Sequence, residues 1–237
     1  MNRRDCLNFA TSLLTGVVTG ALPRIASAGG QQLASQGPSI ESWEAWKAAF
    51  LTADGRIVDH LQEDASHSEG QGYGLFLATW FGDASTFRLV RDWTVRFLGV
   101  RQDPMLAWRW MPDRTPNVAD YNNATDGDLF YAWALLRAGR QFDEAGLTEQ
   151  AENIARFLAA SCLRPDPRGS GRLLLLPGAD GFVPEGDCIV NPSYVMPLAL
   201  RELATAAGNV DLLRSADDGE ALLGSGPTKL LAELRFH

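Results

Sequence analysis

Apolar positions recur every three or four residues along most of the chain between Glu41 and Gly208, and the breaks between those runs carry glycine, proline or charge. In "ESWEAWKAAFL", Trp43, Trp46 and Phe50 fall on one helical face, and the turn Asp54-Gly55 follows. A second helix is predicted from Glu69 to Phe81. A third covers "ASTFRLVRDWTVRFL", with Phe87, Val90, Thr94 and Phe97 on one side. "DGDLFYAWALLRAG" predicts a helix ended by Gly139, and "LTEQAENIARFLAASCL" predicts another, with Ala151, Ile154, Leu158 and Cys162 at spacings of three and four. Residues 99–125 read as a long, proline-containing connection. Residues 164–192 are rich in Gly and Pro, with "RLLLLP" as a short strand. "PSYVMPLALRELATAAG" restarts a helix after Pro197, where a proline fits the first turn. Helices at even intervals with long loops between them predict an all-α arrangement in which function sits on loops and helix starts.

The first residues change the picture of where the chain works. "MNRRDCLNFATSLLTGVVTGALPRIASAGG" has a basic start, an apolar run to Val18 and a small-residue site at Ala26-Ser27-Ala28, so residues 1–28 read as a cleaved export signal. The run is too short for a membrane span, and Arg3-Arg4 leaves both the general and the twin-arginine export routes open. The expected setting is periplasmic or secreted. Residues 29–237 then form one domain, and the 46% apolar content of the full chain supports a sizeable core. Signal removal takes three Arg and one Asp from 21 basic and 29 acidic residues, leaving 18 against 28, a net charge of −10. That balance disfavours nucleic acid and anionic membranes as partners and suits a neutral ligand. Cys162 and Cys188 either pair in an oxidising compartment or stay as two buried thiols.

Two short stretches carry the candidate chemistry. "SHSEGQGYG" puts Glu69 at a helix start, with Ser66 or Ser68 available as caps and Gly70, Gly72 and Gly74 behind it. An acid in a first turn is ordinarily favoured by the helix dipole alone. Three glycines in a helix, however, sacrifice roughly 2–3 kcal/mol against alanine, and close packing at a crowded site is a reason to keep them. "NNATDGDLFYAWALLRAGRQF" repeats the theme: Asn123 or Thr125 as cap, then Asp126 and Asp128. No His/Cys spacing suggests a metal, and no motif suggests a nucleotide or redox cofactor.

These two stretches, together with "DGRIVD", "LAWRW" and "NPSYVMP", resemble glycoside hydrolase family 8, and in particular its cellulose-operon endoglucanases. The family signature A-[ST]-D-[AG]-D and its apolar continuation are matched from Ala124 to Phe142 except at Tyr131, where Ile or Met is usual. The likeness covers about residues 42 to 200. It implies an (α/α)6 barrel of helix hairpins with a long cleft across one end. It also implies inverting hydrolysis of β-1,4-glucan, linked to bacterial cellulose synthesis and in association with the synthesis machinery. Glu69 would be the general acid, its pKa raised by burial. Asp126 matches the signature aspartate and would hold the sugar at the cleavage point. Asp128, Trp108, Trp110, Tyr194 and Tyr73 are the candidate glucan-binding residues, the aromatic ones by stacking on sugar rings.

The resemblance stops short of a general base. In the family that aspartate lies in a stretch like "SYDAIR", after the helix that follows "NPSY", and this chain has no such stretch. Past Gly208, "SADDGEALLGSGPTKLLAELRFH" offers Asp217 and Asp218 without the expected flanking residues. The expectation is therefore a family 8 domain lacking its C-terminal part, its barrel incomplete. It would be either an exported endo-β-1,4-glucanase or a catalytically weak or dead glucan-binding remnant of one.

Overall fold

A computed structural model describes residues 38–224 of the chain. The segment read as an export signal lies outside the described residues, as does the chain after Gly224. Among the described residues are seven α-helices: α1 (Ile40–Phe50), α2 (Ser68–Trp80), α3 (Ala84–Phe97), α4 (Thr125–Gln141), α5 (Ala145–Cys162), α6 (Pro197–Ala207) and α7 (Val210–Gly224). Two short antiparallel ribbons accompany them. β1 (Ser66–His67) pairs with β2 (Arg109–Trp110), and β3 (Leu163–Pro165) pairs with β4 (Leu173–Leu175). The chain is all-α in architecture, and none of the described helices is long and apolar enough to cross a membrane.

Short joints fold the helices into hairpins. Only Phe81–Asp83 separate α2 from α3, Phe142–Glu144 separate α4 from α5, and Gly208-Asn209 separate α6 from α7. Across hairpins, α2 packs on α4 and α4 on α6, while α5 also meets α6 and α7. The first helix of each hairpin thus forms an inner row and the second an outer row, so α2, α4 and α6 start at the same end of the molecule. The long connections, 98–124 and 163–196, gather at that end.

The inner helices explain the apolar count. In α4, thirteen of seventeen residues are buried, because the helix is covered by α2, α5 and α6 at once. The outer helices keep the expected stripes: Phe87, Val90 and Thr94 of α3, and Ala151, Ile154, Leu158 and Cys162 of α5, are all buried. Phe97, assigned to the same face of α3, is only half-buried, and Trp93 takes its place in the core.

Two local expectations fail for one physical reason. Gly139 does not end α4, which continues to Gln141; a side chain there would meet Thr148 Oγ1 at 2.5 Å, so the glycine serves a close helix crossing with α5. The candidate caps are also used elsewhere. His67 and Ala124 occupy the cap positions of α2 and α4 without side-chain capping bonds. Ser66 donates instead to Ile57 O at 2.6 Å, and Thr125 donates to Leu176 O at 2.7 Å. Polar side chains at these starts stitch the helices to neighbouring loops rather than to themselves. Cys162 and Cys188 are separate buried thiols, one in the main core and one in a small cluster with Leu174, Leu176 and Phe182.

Candidate active site

Glu69 stands in the first turn of α2 and Asp126 in the first turn of α4, so their placement depends on how closely these two helix starts approach. Glycines on both helices make the approach. A Cβ on Gly72 would sit 2.6 Å from Phe130 Cβ, and one on Gly127 would sit 2.7 Å from Ser68 Cβ and 2.8 Å from the Glu69 nitrogen. Backbone therefore lies against backbone, and the two carboxyls end up hydrogen-bonded to each other. Gly74 clears space for Ile57 at 3.1 Å, whereas Gly70 meets its neighbours at ordinary distance.

Further polar groups fix the pair. Tyr73, one turn along α2, donates to Glu69 Oε1 at 2.5 Å, and its ring rests edge-on against Phe130 with centroids 4.6 Å apart. Asp126 accepts the Gly127 N–H at 2.8 Å and the hydroxyl of Tyr194, which the short 3₁₀ turn Pro192–Tyr194 brings in just ahead of α6. All three inner helix starts thus contribute to one spot.

Burial raises the pKa of Glu69, and the negative charge of Asp59 adds to the effect, while the bonds from Tyr73 and Asp126 oppose it. Burial likewise raises Asp126 well above the usual carboxylate range, assisted by the charge of Glu69. Two acids in contact in a poorly hydrated place cannot both ionise readily, so the pair retains a proton at pH values where an exposed carboxyl has lost its own. Burial lowers the pKa of neighbouring His67 to about 4, with Arg109 adding to the effect, so its imidazole is neutral at pH 7.

The pair opens onto a cleft of about 1000 Å³. One wall comes from the 98–124 connection, including Arg101, Asp103, Trp108 and Tyr121; the other comes from Pro177 and Asp180–Phe182. Of the sequence-derived candidates, Glu69, Asp126, Trp108 and Tyr194 line this cleft. Trp108 is nevertheless enclosed: His67 stacks on its ring at 5.9 Å, the Arg109 guanidinium lies 4.3 Å from its centroid, and its indole N–H donates to Asp120. Tyr73 reaches the site only through Glu69. Trp110 is not among the cleft-lining residues; it packs against Trp93 and Phe97, under Arg56. Asp128 is not there either, because its side chain turns inward, is fully buried, and accepts from Leu106 N at 2.8 Å and Asn123 Nδ2 at 2.9 Å.

Asp217 and Asp218 lie on α7 in structural roles, Asp217 paired with Arg201 and Asp218 accepting the Leu173 N–H. Neither lines the cleft. The acids that do line it, besides the pair, are Asp103, Asp120 and Asp180. Sequence reasoning passed over these three, together with Arg101, Tyr121 and His67. All but His67, which lies in β1 at the cap of α2, sit in irregular loops without spacing to mark them, and the only signal for those was that the loops were long. Tyr131, the departure from the family signature, is buried beside Arg91 of α3, and burial pushes its phenol up to about 12. Among the described residues, no group of three or more His, Cys, Asp or Glu is placed to hold a metal ion.

Known proteins are similar to this chain in sequence and fold. An endoglucanase of Cellulomonas uda is 35% identical over 183 residues, covering 77% of this chain and 50% of that protein. An endoglucanase of Xanthomonas axonopodis pv. citri is 38% identical over 214 residues, covering 87% of this chain and 53% of its own. Among solved structures, an endo-beta-1,4-glucanase from Acetobacter xylinum superposes with a TM-score of 0.74 at 32% identity, covering 78% of this chain and 57% of that one. The chain spans about half the length of the curated relatives it matches. The helix hairpins are those of an (α/α)6 barrel, incomplete in this chain. The sequence pattern of glycosyl hydrolases family 8 matches residues 22–227, and the chain belongs to that family.

Proposed function

We propose that the protein is an endo-β-1,4-glucanase that cleaves cellulose-type glucan with Glu69 as general acid. The observation that carries this reading is the hydrogen-bonded Glu69–Asp126 pair on the cleft, held partly protonated by burial. A glucan lying along the cleft would place a glycosidic oxygen at Glu69, which gives up its proton as the carbon–oxygen bond breaks, while a water molecule bonds to the anomeric carbon and releases a proton to solvent. Asp126 takes the role of partner: it keeps the proton on the pair and, with Tyr194, faces the sugar at the point of cleavage. It is too close to Glu69 to be the base of an inverting reaction, which needs about 6.5–9.5 Å between carboxyls to admit a water.

The relatives' names support the substrate class, since those cited are endoglucanases. Export through the 1–28 segment, a periplasmic or secreted setting, inversion and a link to cellulose synthesis belong to the same proposal. They rest on the leader pattern and the family resemblance. A second reading, a glucan-binding protein without efficient turnover, is favoured by one observation: Asp217 pairs with Arg201 at the surface, Asp218 accepts the Leu173 N–H, and neither lines the cleft.

Reducing-end release from carboxymethylcellulose by the purified chain tests both. The enzyme reading expects release that falls by about 10²–10⁴ in Glu69→Gln, the usual contribution of a positioned general acid. Binding of cello-oligomers by folded protein with no release in either variant would replace it with the binding reading. Neither release nor binding would refute both.

A further inference from the structure

Asp128 and Asn123 form a buried chain of hydrogen bonds that runs across the floor of the cleft. The backbone N–H of Leu106, on the connection that builds one wall, donates to Asp128 Oδ1 at 2.8 Å. Asn123 Nδ2 donates to Asp128 Oδ2 at 2.9 Å, and Asn123 Oδ1 accepts the backbone N–H of Ala179, on the opposite wall, at 2.7 Å. Asp128 is 0% exposed and does not line the cleft, whereas Asn123, 3% exposed, borders it with its side chain committed to Asp128 and Ala179. Both wall N–H groups point inward, Asp128 accepts at both of its oxygens, and only one amide orientation of Asn123 satisfies both its neighbours. Nearer the solvent, Asn122 makes a second link between the same walls through Asp180.

We propose that Asp128 and Asn123 are positioning residues that tie the two cleft walls together and so set the affinity of the cleft for a glucan chain. The glucan part rests on the function proposed above; the wall tie does not. An amide at position 128 would turn an N–H₂ group toward Asn123, forcing that side chain to flip and pointing its own N–H₂ at the Ala179 N–H. A break made at one wall thus propagates to the other. Exchanging the two residue types restores the chain. The Leu106 N–H then donates to the amide oxygen at position 128, the amide N–H₂ there donates to the carboxylate at position 123, and that carboxylate accepts the Ala179 N–H. Cys162 Sγ, 3.6 Å from Asn123 Nδ2 in the unmodified chain, can donate to the new carboxylate as well.

The test compares Asp128→Asn, Asn123→Asp and the double exchange by hydrogen exchange of peptides covering residues 99–109 and 176–182, and by calorimetric titration with cellohexaose. Asp128→Asn is expected to speed exchange in both peptides, although residue 128 bonds only the first. Each single variant should weaken cellohexaose binding by about tenfold, the worth of one buried hydrogen bond, and the double exchange should recover most of it. Faster exchange confined to the 99–109 peptide, or a double exchange no better than its singles, overturns the tie. Coupled exchange with unchanged cellohexaose affinity overturns the positioning role. Coupled exchange where the unmodified chain binds no cellohexaose overturns the glucan reading and leaves the tie standing. Singles that fail to fold beside a folded double exchange support the tie, and three unfolded variants overturn it.

Discussion

Glu69 owes its chemistry to three contacts that pull in opposite directions. Burial and the charge of Asp59 favour its protonated form, whereas the hydroxyl of Tyr73, 2.5 Å from Oε1, favours the ionised one. Tyr73→Phe removes the opposing bond without emptying the space beside Phe130. The alkaline limb of the kcat–pH profile, which reports loss of the acid's proton in the bound state, should then move to higher pH. At neutral pH, turnover should fall by at most about tenfold, the scale of one charge-assisted hydrogen bond. A limb that stays in place would show that Tyr73 does not govern the proton on Glu69. Trp108 marks where residue-level reading from sequence runs out. Its position beside the site was legible, but His67 and the adjoining Arg109 close over the ring, and only the β1–β2 pairing brings His67 there. A sugar-stacking aromatic on this wall has to be sought at exposed Tyr121 instead.

The crossing of α2 and α4 is the element on which the site depends. Gly72 and Gly127 let the helices approach until Glu69 and Asp126 meet, so a methyl group at 72 has to push against Phe130 Cβ, an atom that cannot move without its helix. Gly72→Ala should therefore destabilise the chain by about 1–3 kcal/mol, the usual penalty for overpacking, despite alanine's better helix propensity. It should also separate the carboxyls. Denaturant unfolding measures the first effect; a gain in stability would show that the crossing is looser than described. Helix existence was legible from 3.6-residue periodicity for α1 to α6 but not for α7, and the glycines at 72 and 74 of "SEGQGYG" correctly signalled crowding. Their partner was not legible, since the crowding comes from another helix brought in by tertiary packing. The same limit explains the caps: Ser66, Asn123 and Thr125 have cap chemistry, but Ser66 bonds the preceding loop at Ile57 and the other two bond segments more than 50 residues away, which no local pattern reveals. The helix α7 has a clear apolar side in the structure, with Leu212, Ala216 and Leu222 buried, yet "SADDGE" at its centre drew attention to its acids rather than to its periodicity.

Across the whole molecule, buried acids give stability a slope with pH. Glu69, Asp126 and Asp128 all titrate higher folded than unfolded, Asp128 at about 7 because burial outweighs the bonds from Leu106 and Asn123. The unfolded chain releases these protons first as pH rises, so their contribution is complete below about pH 4 and is lost as pH climbs through the folded values. Asp83, Asp103 and Glu202 run the other way: their hydrogen bonds and ion pairs outweigh burial and hold their pKa values down, so their contribution is complete above about pH 4 and lost below it. His67, held at about 4 by burial, adds stability as pH rises to about 6.5, so stability should peak between about pH 5 and pH 6.5, and the urea midpoint should fall between about pH 6.5 and pH 8. A midpoint that rises over that interval would contradict the burial of these acids. The family and its hairpin architecture could be read from two motifs, whereas the cleft walls, built from loops without periodicity, required the structure.

The central claim is that Glu69 and Asp126 share a proton at the floor of the cleft, and a carboxyl ¹³C NMR titration tests it most directly. Signals would be assigned with Glu69→Gln and Asp126→Asn. Both carboxyls should titrate together, above the ordinary carboxylate range, and in Asp126→Asn the Glu69 step should lose its coupled form. Two independent titrations near the ordinary values of about 4 would mean that the acids neither touch nor hold a proton for catalysis.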